Sequence, residues 1–135
     1  MTEEVNIKIG IIQLIHFLID AFNMSYVFIF NPVYDVYFCI WILLQTMHWG
    51  LLKNECIVSY VEKLMIDPTY KLGSNPRWIP HNKIYHNKFT LISKAIIVIG
   101  TLLLIMYRAK KNYIRLICVA AIILWLYYTY FYKKA

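Results

Sequence analysis

Apolar residues dominate four stretches of this chain, roughly 9–30, 33–52, 89–107 and 113–132. Each is about the length that a helix rising ~1.5 Å per residue needs to cross ~30 Å of hydrocarbon. A segment inside lipid must satisfy its own backbone hydrogen bonds, and no alternating barrel pattern runs through these stretches, so they predict helices. Between the second and third the period changes. Over 54–67, Ile57, Val58, Val61, Leu64 and Met65 share one helical face opposite Glu55, Ser59, Glu62 and Lys63. That pattern predicts a short amphipathic helix at the membrane surface, with Asn54 as N-cap, Glu55 at its positive end and Asp67-Pro68 as its stop. The alternative is a second helix running on through Gly50, with a stripe of Gln45, His48, Leu52, Glu55, Ser59 and Glu62. Residues 68–88, with Pro68, Pro76, Pro80 and Gly73, predict a loop. The expected fold is an all-α membrane protein: four transmembrane helices in an antiparallel bundle plus one short amphipathic interfacial helix, in a single multi-pass domain over 1–135. The short Asn31-Pro32 turn predicts close pairing of the first two helices.

Polar residues break the apolar stretches in a regular way. Gln13, His16, Asp20 and Asn23 are spaced three, four and three apart, so they form one stripe on the first helix, with Gly10 extending it. Ile12, Ile15, Ile19, Phe22 and Tyr26 are left for lipid or neighbouring helices. An ionised carboxylate at mid-membrane costs about 2.5–3.5 kcal/mol on insertion scales, so Asp20 must face a partner or water, or be protonated. Gln45 and His48 continue the polar set on the second helix, giving a candidate intramembrane cluster of Gln13, His16, Asp20, Asn23, Gln45 and His48. Glu55, Cys56, Ser59 and Glu62 form a candidate cluster at the membrane mouth. His16, Asp20 and His48 are the candidate metal ligands, although the two histidines belong to different depths of their helices. On the third stretch Thr90, Ser93, Ile97, Gly100 and Leu104 form a stripe, small at several positions, that predicts close helix approach. Lys94 is expected to snorkel toward the loop. Trp125, Tyr127, Tyr128, Tyr130 and Tyr132 predict an aromatic belt where the last helix leaves the bilayer.

Composition narrows the reading. Hydrophobic residues make up 61% of the 135 and charged residues only 16%, too much apolar surface for one small soluble core to hide. The net charge of +7 comes from Lys and Arg placed almost wholly in loops and at the C-terminus, where headgroups sit, so the expected partner is the lipid bilayer and no nucleic acid. Arg77-Trp78 and the Lys83–Lys88 stretch around Tyr85 fit a headgroup anchor; His81 and His86 are a weak metal signal. The start, Met1-Thr-Glu-Glu, has no basic leader, so an uncleaved anchor is expected. Four crossings put nine Lys/Arg with both termini and four (Arg108, Lys110, Lys111, Arg115) on the far side, favouring cytoplasmic termini. Cys39, Cys56 and Cys118 form no CxxC, and the two inside helices read as small hydrophobes.

His16, Trp49 and the run Cys56-Ile-Val-Ser59-Tyr-Val-Glu62 resemble a family of small bacterial integral-membrane proteins of unknown function. That family carries a first-helix histidine and, after its second helix, a Trp-containing stretch leading to Cys-Pro-Leu-Thr-x-x-Glu. Here Ile57 replaces the proline and Ser59 the threonine, and the resemblance covers the first half of the chain. It implies a multi-pass architecture and a cluster of His16, Cys56, Ser59 and Glu62, with no activity attached.

The chain has no phosphate-cradling glycine loop, HExxH or serine elbow, and no motif names a cofactor. The expected function is a structural or interaction component of a membrane, partnered by a second copy or another membrane protein. The alternatives are an intramembrane site for a proton, metal ion or small polar or redox ligand, and an oligomeric pore.

Overall fold

A computed structural model describes residues 2–76, 78, 80 and 88–131. Arg77, His81, Lys83, Tyr85, His86 and Tyr132, which carry part of the expected anchor, metal and belt readings, lie outside the described residues. The described chain is all-helical: α1 (Glu3–Ile29), α2 (Asp35–Leu51), α3 (Ile57–Ile66), α4 (Lys88–Arg108) and α5 (Asn112–Leu126), the last widening into a π-helical turn, Tyr127–Phe131. Among the described residues three helices are long and apolar enough to cross a membrane: α1, α4, and α5 with its π turn. The fourth expected span, α2, has 17 residues.

Local chemistry sets the ends of α1. The Thr2 hydroxyl accepts from the Val5 N–H (3.3 Å), and Glu3 and Glu4 occupy the positive end of the helix. At the other end Asn31 accepts from the Val33 N–H (3.0 Å), and Pro32 opens one 3-10 turn (Pro32–Tyr34) before α2 begins. Tyr26 meets Asp35 and Asn23 meets Gln45, the order of an antiparallel hairpin. The expected close pairing does not follow. The backbones of α1 and α2 share little contact; α1 packs on α3 and α4, α4 on α5, and α5 most extensively on α2. Aromatic side chains hold α1 and α2 apart, with Phe22 edge-on to Phe38 and Trp41, and Tyr26 stacked on Phe38 at 4.1 Å between centroids. The gap is an apolar groove of ≈ 720 Å³.

The core is a band of apolar side chains, among them Phe38, Cys39, Ile42, Val98, Leu102, Ile105, Cys118, Ala121 and Trp125. In α4 the inward face is Ala95, Val98, Thr101, Leu102 and Ile105. The expected small-residue stripe is wrong by about a third of a turn: Gly100 has open space where a Cβ would be, and Leu104 is exposed. Thr101, the small polar residue on the true face, bonds back to the Ile97 carbonyl (2.7 Å) and makes no demand on a neighbour. Gly10 likewise lies on the outside, and Ile9 continues the buried stripe of α1 in its place. Tyr26, left for lipid or a neighbouring helix, takes the second course: it is almost wholly buried against α2.

α2 stops at Leu51 and α3 is a separate helix, which excludes the continuous alternative. Its start differs from expectation: Lys53 (φ 53°) and Asn54 (φ 65°) take left-handed backbone, and the cap residue is Cys56. The helix is inside-out. Ser59, Glu62 and Lys63 are buried against the protein, whereas Ile57 is exposed and Val58, Val61, Leu64 and Met65 are half-buried. α1 shows the same inversion, with His16, Asp20 and Asn23 buried and Ile11, Leu14, Phe17 and Leu18 outside. Polar residues in and apolar residues out is the arrangement lipid demands.

Candidate functional site

Three members of the polar stripe of α1, Gln13, Asp20 and Asn23, each reach a different helix. Gln13 Nε2 donates to Glu62 Oε1 on α3 at 2.7 Å. Asp20 Oδ1 accepts from Lys94 Nζ on α4 at 3.0 Å, with His16 Nε2 at 4.0 Å from the other carboxylate oxygen. Asn23 donates to Gln45 Oε1 (2.9 Å) and accepts from the Trp41 indole N–H (2.7 Å), both on α2. Lys94 therefore does not snorkel: it turns inward to a carboxylate, and its ammonium lies 5.9 Å from the centre of the Trp125 ring. Trp125 is a core residue and not a member of the surface belt; Tyr127 and Tyr130 are exposed.

His48 does not join His16. Its Nδ1 donates to the Gln45 carbonyl (2.6 Å), which leaves Nε2 to accept from the Ile57 N–H (3.3 Å), so the ring is the neutral Nδ1–H tautomer. In this position it satisfies the first free N–H of α3, work expected of Asn54. Among the described residues no group of three or more His, Cys, Asp and Glu side chains is arranged to hold a metal ion.

Glu55 is drawn off the helix into the loop. One of its carboxylate oxygens accepts from the Tyr70 hydroxyl and from the Gly73 N–H (3.0 Å), and the other lies 3.5 Å from Lys63 Nζ. Lys63 also donates to the Asn75 carbonyl (3.0 Å) and lies 5.1 Å from the Tyr70 ring centre and 5.8 Å from that of Trp78. Burial lowers the affinity of Lys63 for its proton, and Glu55 opposes that effect. Burial and the bond to Glu55 push the Tyr70 hydroxyl up. Gly73, at φ 80°, lets the loop close over the Lys53 stem.

Between these layers lies a cavity of ≈ 190 Å³. His16, Cys56, Ser59, Lys94 and Trp125 line it, with the exposed Leu91 and Thr129 at its rim. Burial pushes the Cys56 thiol up, away from the thiolate. His16, Glu55, Cys56 and Ser59 of the expected clusters thus line one cavity, Glu55 while also serving the loop, and Glu62 is turned to Gln13.

The opposite end holds a site that sequence reasoning missed. Asp35 accepts from the Tyr26 hydroxyl (2.7 Å), from Arg108 Nε (2.6 Å) and from Arg108 Nη2 (2.6 Å), a two-pronged pair joining α1, α2 and α4. Nearby Arg115 covers the last carbonyls of α4, donating to Met106 (3.2 Å) and Ala109 (2.6 Å). Asp35 follows an Asn-Pro turn and Arg108 opens a basic turn, so each reads alone as solvated. Cys39 on α2 and Cys118 on α5 are fully buried with their sulfurs 2.8 Å apart, a contact that separate readings as small hydrophobes did not foresee.

The comparisons with protein-family models, curated proteins and solved structures find no match.

Proposed function

We propose that the chain is a multi-pass structural or interaction component of a membrane. In this reading all four long helices cross the bilayer. α2 supplies about 25 Å at ~1.5 Å per residue, at the short end of the spanning range, and α3 lies at the interface with its apolar face toward lipid. Both termini and the α3 loop share the side with nine Lys/Arg, the cytoplasmic side by the rule of basic excess. The aromatic groove between α1 and α2 is the surface offered to a second copy or another membrane protein.

One observation carries this reading: the intramembrane polar side chains are engaged from helix to helix, α1 to α3, α4 and α2, and α2 to α4, in contacts that specify packing. Engaged groups of this kind hold helices in register without turnover. Proton and cation flux measured in liposomes containing the purified protein tests it. The expected result is flux no greater than in protein-free liposomes, with Asp20→Asn lowering thermal stability in detergent. A flux that Asp20→Asn abolishes would overturn the structural reading in favour of transport.

A further inference from the structure

Trp125 is buried beside the polar seam. It is 1% exposed, yet its indole N–H has no hydrogen-bond partner among the described residues. A buried donor left unmade costs about 1–3 kcal/mol, and such a donor on a cavity wall marks the place of a missing acceptor. The wall around it is rich in donors: the Lys94 ammonium, the Ser59 hydroxyl and the Asn54 amide line the same space. Lys94 gives one of its three N–H groups to Asp20, which leaves two for a second acceptor. Two acids stand near: Asp20 is paired with Lys94, and Glu55, which lines the same space, gives one oxygen to Tyr70 and Gly73 while its other oxygen makes no hydrogen bond among the described residues and is balanced by the Lys63 ammonium at 3.5 Å, also on the wall. Trp49, Trp78, Leu91 and Ala95 supply apolar sides. A volume of ≈ 190 Å³ exceeds what one water needs, and the rim at Leu91 and Thr129 opens to the surface.

We infer that this cavity binds an oxyanion group, a carboxylate or phosphate, through the Trp125 N–H and the Lys94 ammonium, with Ser59 as a third donor. The group is either a free small anion or the headgroup of a lipid entering past Leu91 and Thr129. Nothing in the helix pairing described above requires such a ligand, so the two proposals stand or fall separately.

The test uses the full chain with ¹⁵N-labelled tryptophan indoles, the Trp125 signal being assigned by Trp125→Phe. In one arm the detergent-solubilised protein is titrated at constant ionic strength with sodium phosphate or sodium acetate in place of chloride. In the other it is placed in phosphatidylcholine nanodiscs with or without phosphatidate. A Trp125 indole shift with phosphate or acetate, and binding about tenfold weaker in Trp125→Phe, establishes the site for a free anion. A shift with phosphatidate alone assigns it to a lipid headgroup. An unmoved Trp125 indole in every arm overturns the inference, as does binding undiminished by Trp125→Phe. Should that variant not fold, Leu91→Glu, a change at the exposed rim, is expected to weaken binding by repulsion; unchanged affinity there counts against the site equally.

Discussion

The two ends of the bundle use the same ingredients, an aspartate, a base from α4 and an aromatic, and arrive at opposite results. Around Asp35 the donors and acceptors balance: both carboxylate oxygens are taken, by the two prongs of Arg108 and by Tyr26. Around Asp20 the base is a lysine, which meets one oxygen as a point charge, and the aromatic is Trp125, whose N–H reaches no acceptor among the described residues. A planar fork meets both carboxylate oxygens, whereas a compact ammonium meets one and leaves donors over, although each pair borders a cavity. The choice of Arg or Lys on a single helix thus separates a pair whose donors and acceptors balance from one with donors to spare.

Four measurements would break or sharpen that contrast. The largest effect is expected from Asp35→Asn, which strips the charge partner from Arg108. We predict a loss of about 3 kcal/mol in reversible unfolding from mixed micelles. Lys94→Met should cost about 2 kcal/mol, less because Asp20 can take up a proton, and Asp20→Asn in the same chain should recover much of it. A greater loss for Lys94→Met than for Asp35→Asn would show that the α3 end is the tighter one. His48→Ala removes the acceptor of the Ile57 N–H and is predicted to cost about 1 kcal/mol, read as faster hydrogen exchange at the start of α3. The smallest effect belongs to Asp67, whose carboxylate accepts from the Thr69 N–H and hydroxyl; these bonds hold its pKa below the usual 3.8. Its contribution to the loop is therefore complete above that value and disappears as pH falls through the lowered pKa. An Asp67 carboxyl that titrates at or above 3.8 by NMR would contradict the turn.

Much of this was legible in the residues, and what was not shares a cause. The buried seam of α1 follows from spacing alone, since residues three and four apart share a face whatever lies opposite. The inversion of α3 is likewise visible in its two faces. Lys94 was misread because its partner is 74 positions earlier, and Asp35 because Arg108 is 73 positions later; no local pattern carries such a distance. The start of α3 was misplaced for a different reason. Asn54 has the chemistry of a cap, but Lys53 and Asn54 turn left-handed, Glu55 is pulled away by Tyr70 and Gly73, and His48 supplies the acceptor from another helix. The α4 face was judged by residue size, when the groups that seek a partner, Lys94 and Arg108, would have set it.

The acids that pair within the bundle from α1 and α2, Asp20 and Asp35, belong to the first hairpin, and the bases they meet, Lys94 and Arg108, both belong to α4. On the proposed reading, in which all four long helices cross the bilayer, the nascent first half enters the membrane with these two carboxyls unmatched by Lys94 and Arg108 until the third long helix leaves the ribosome. We expect residues 1–87 made alone to be recognised as unfinished and degraded, and residues 88–135 supplied as a separate polypeptide to rescue them, because α4 delivers both missing cations at once.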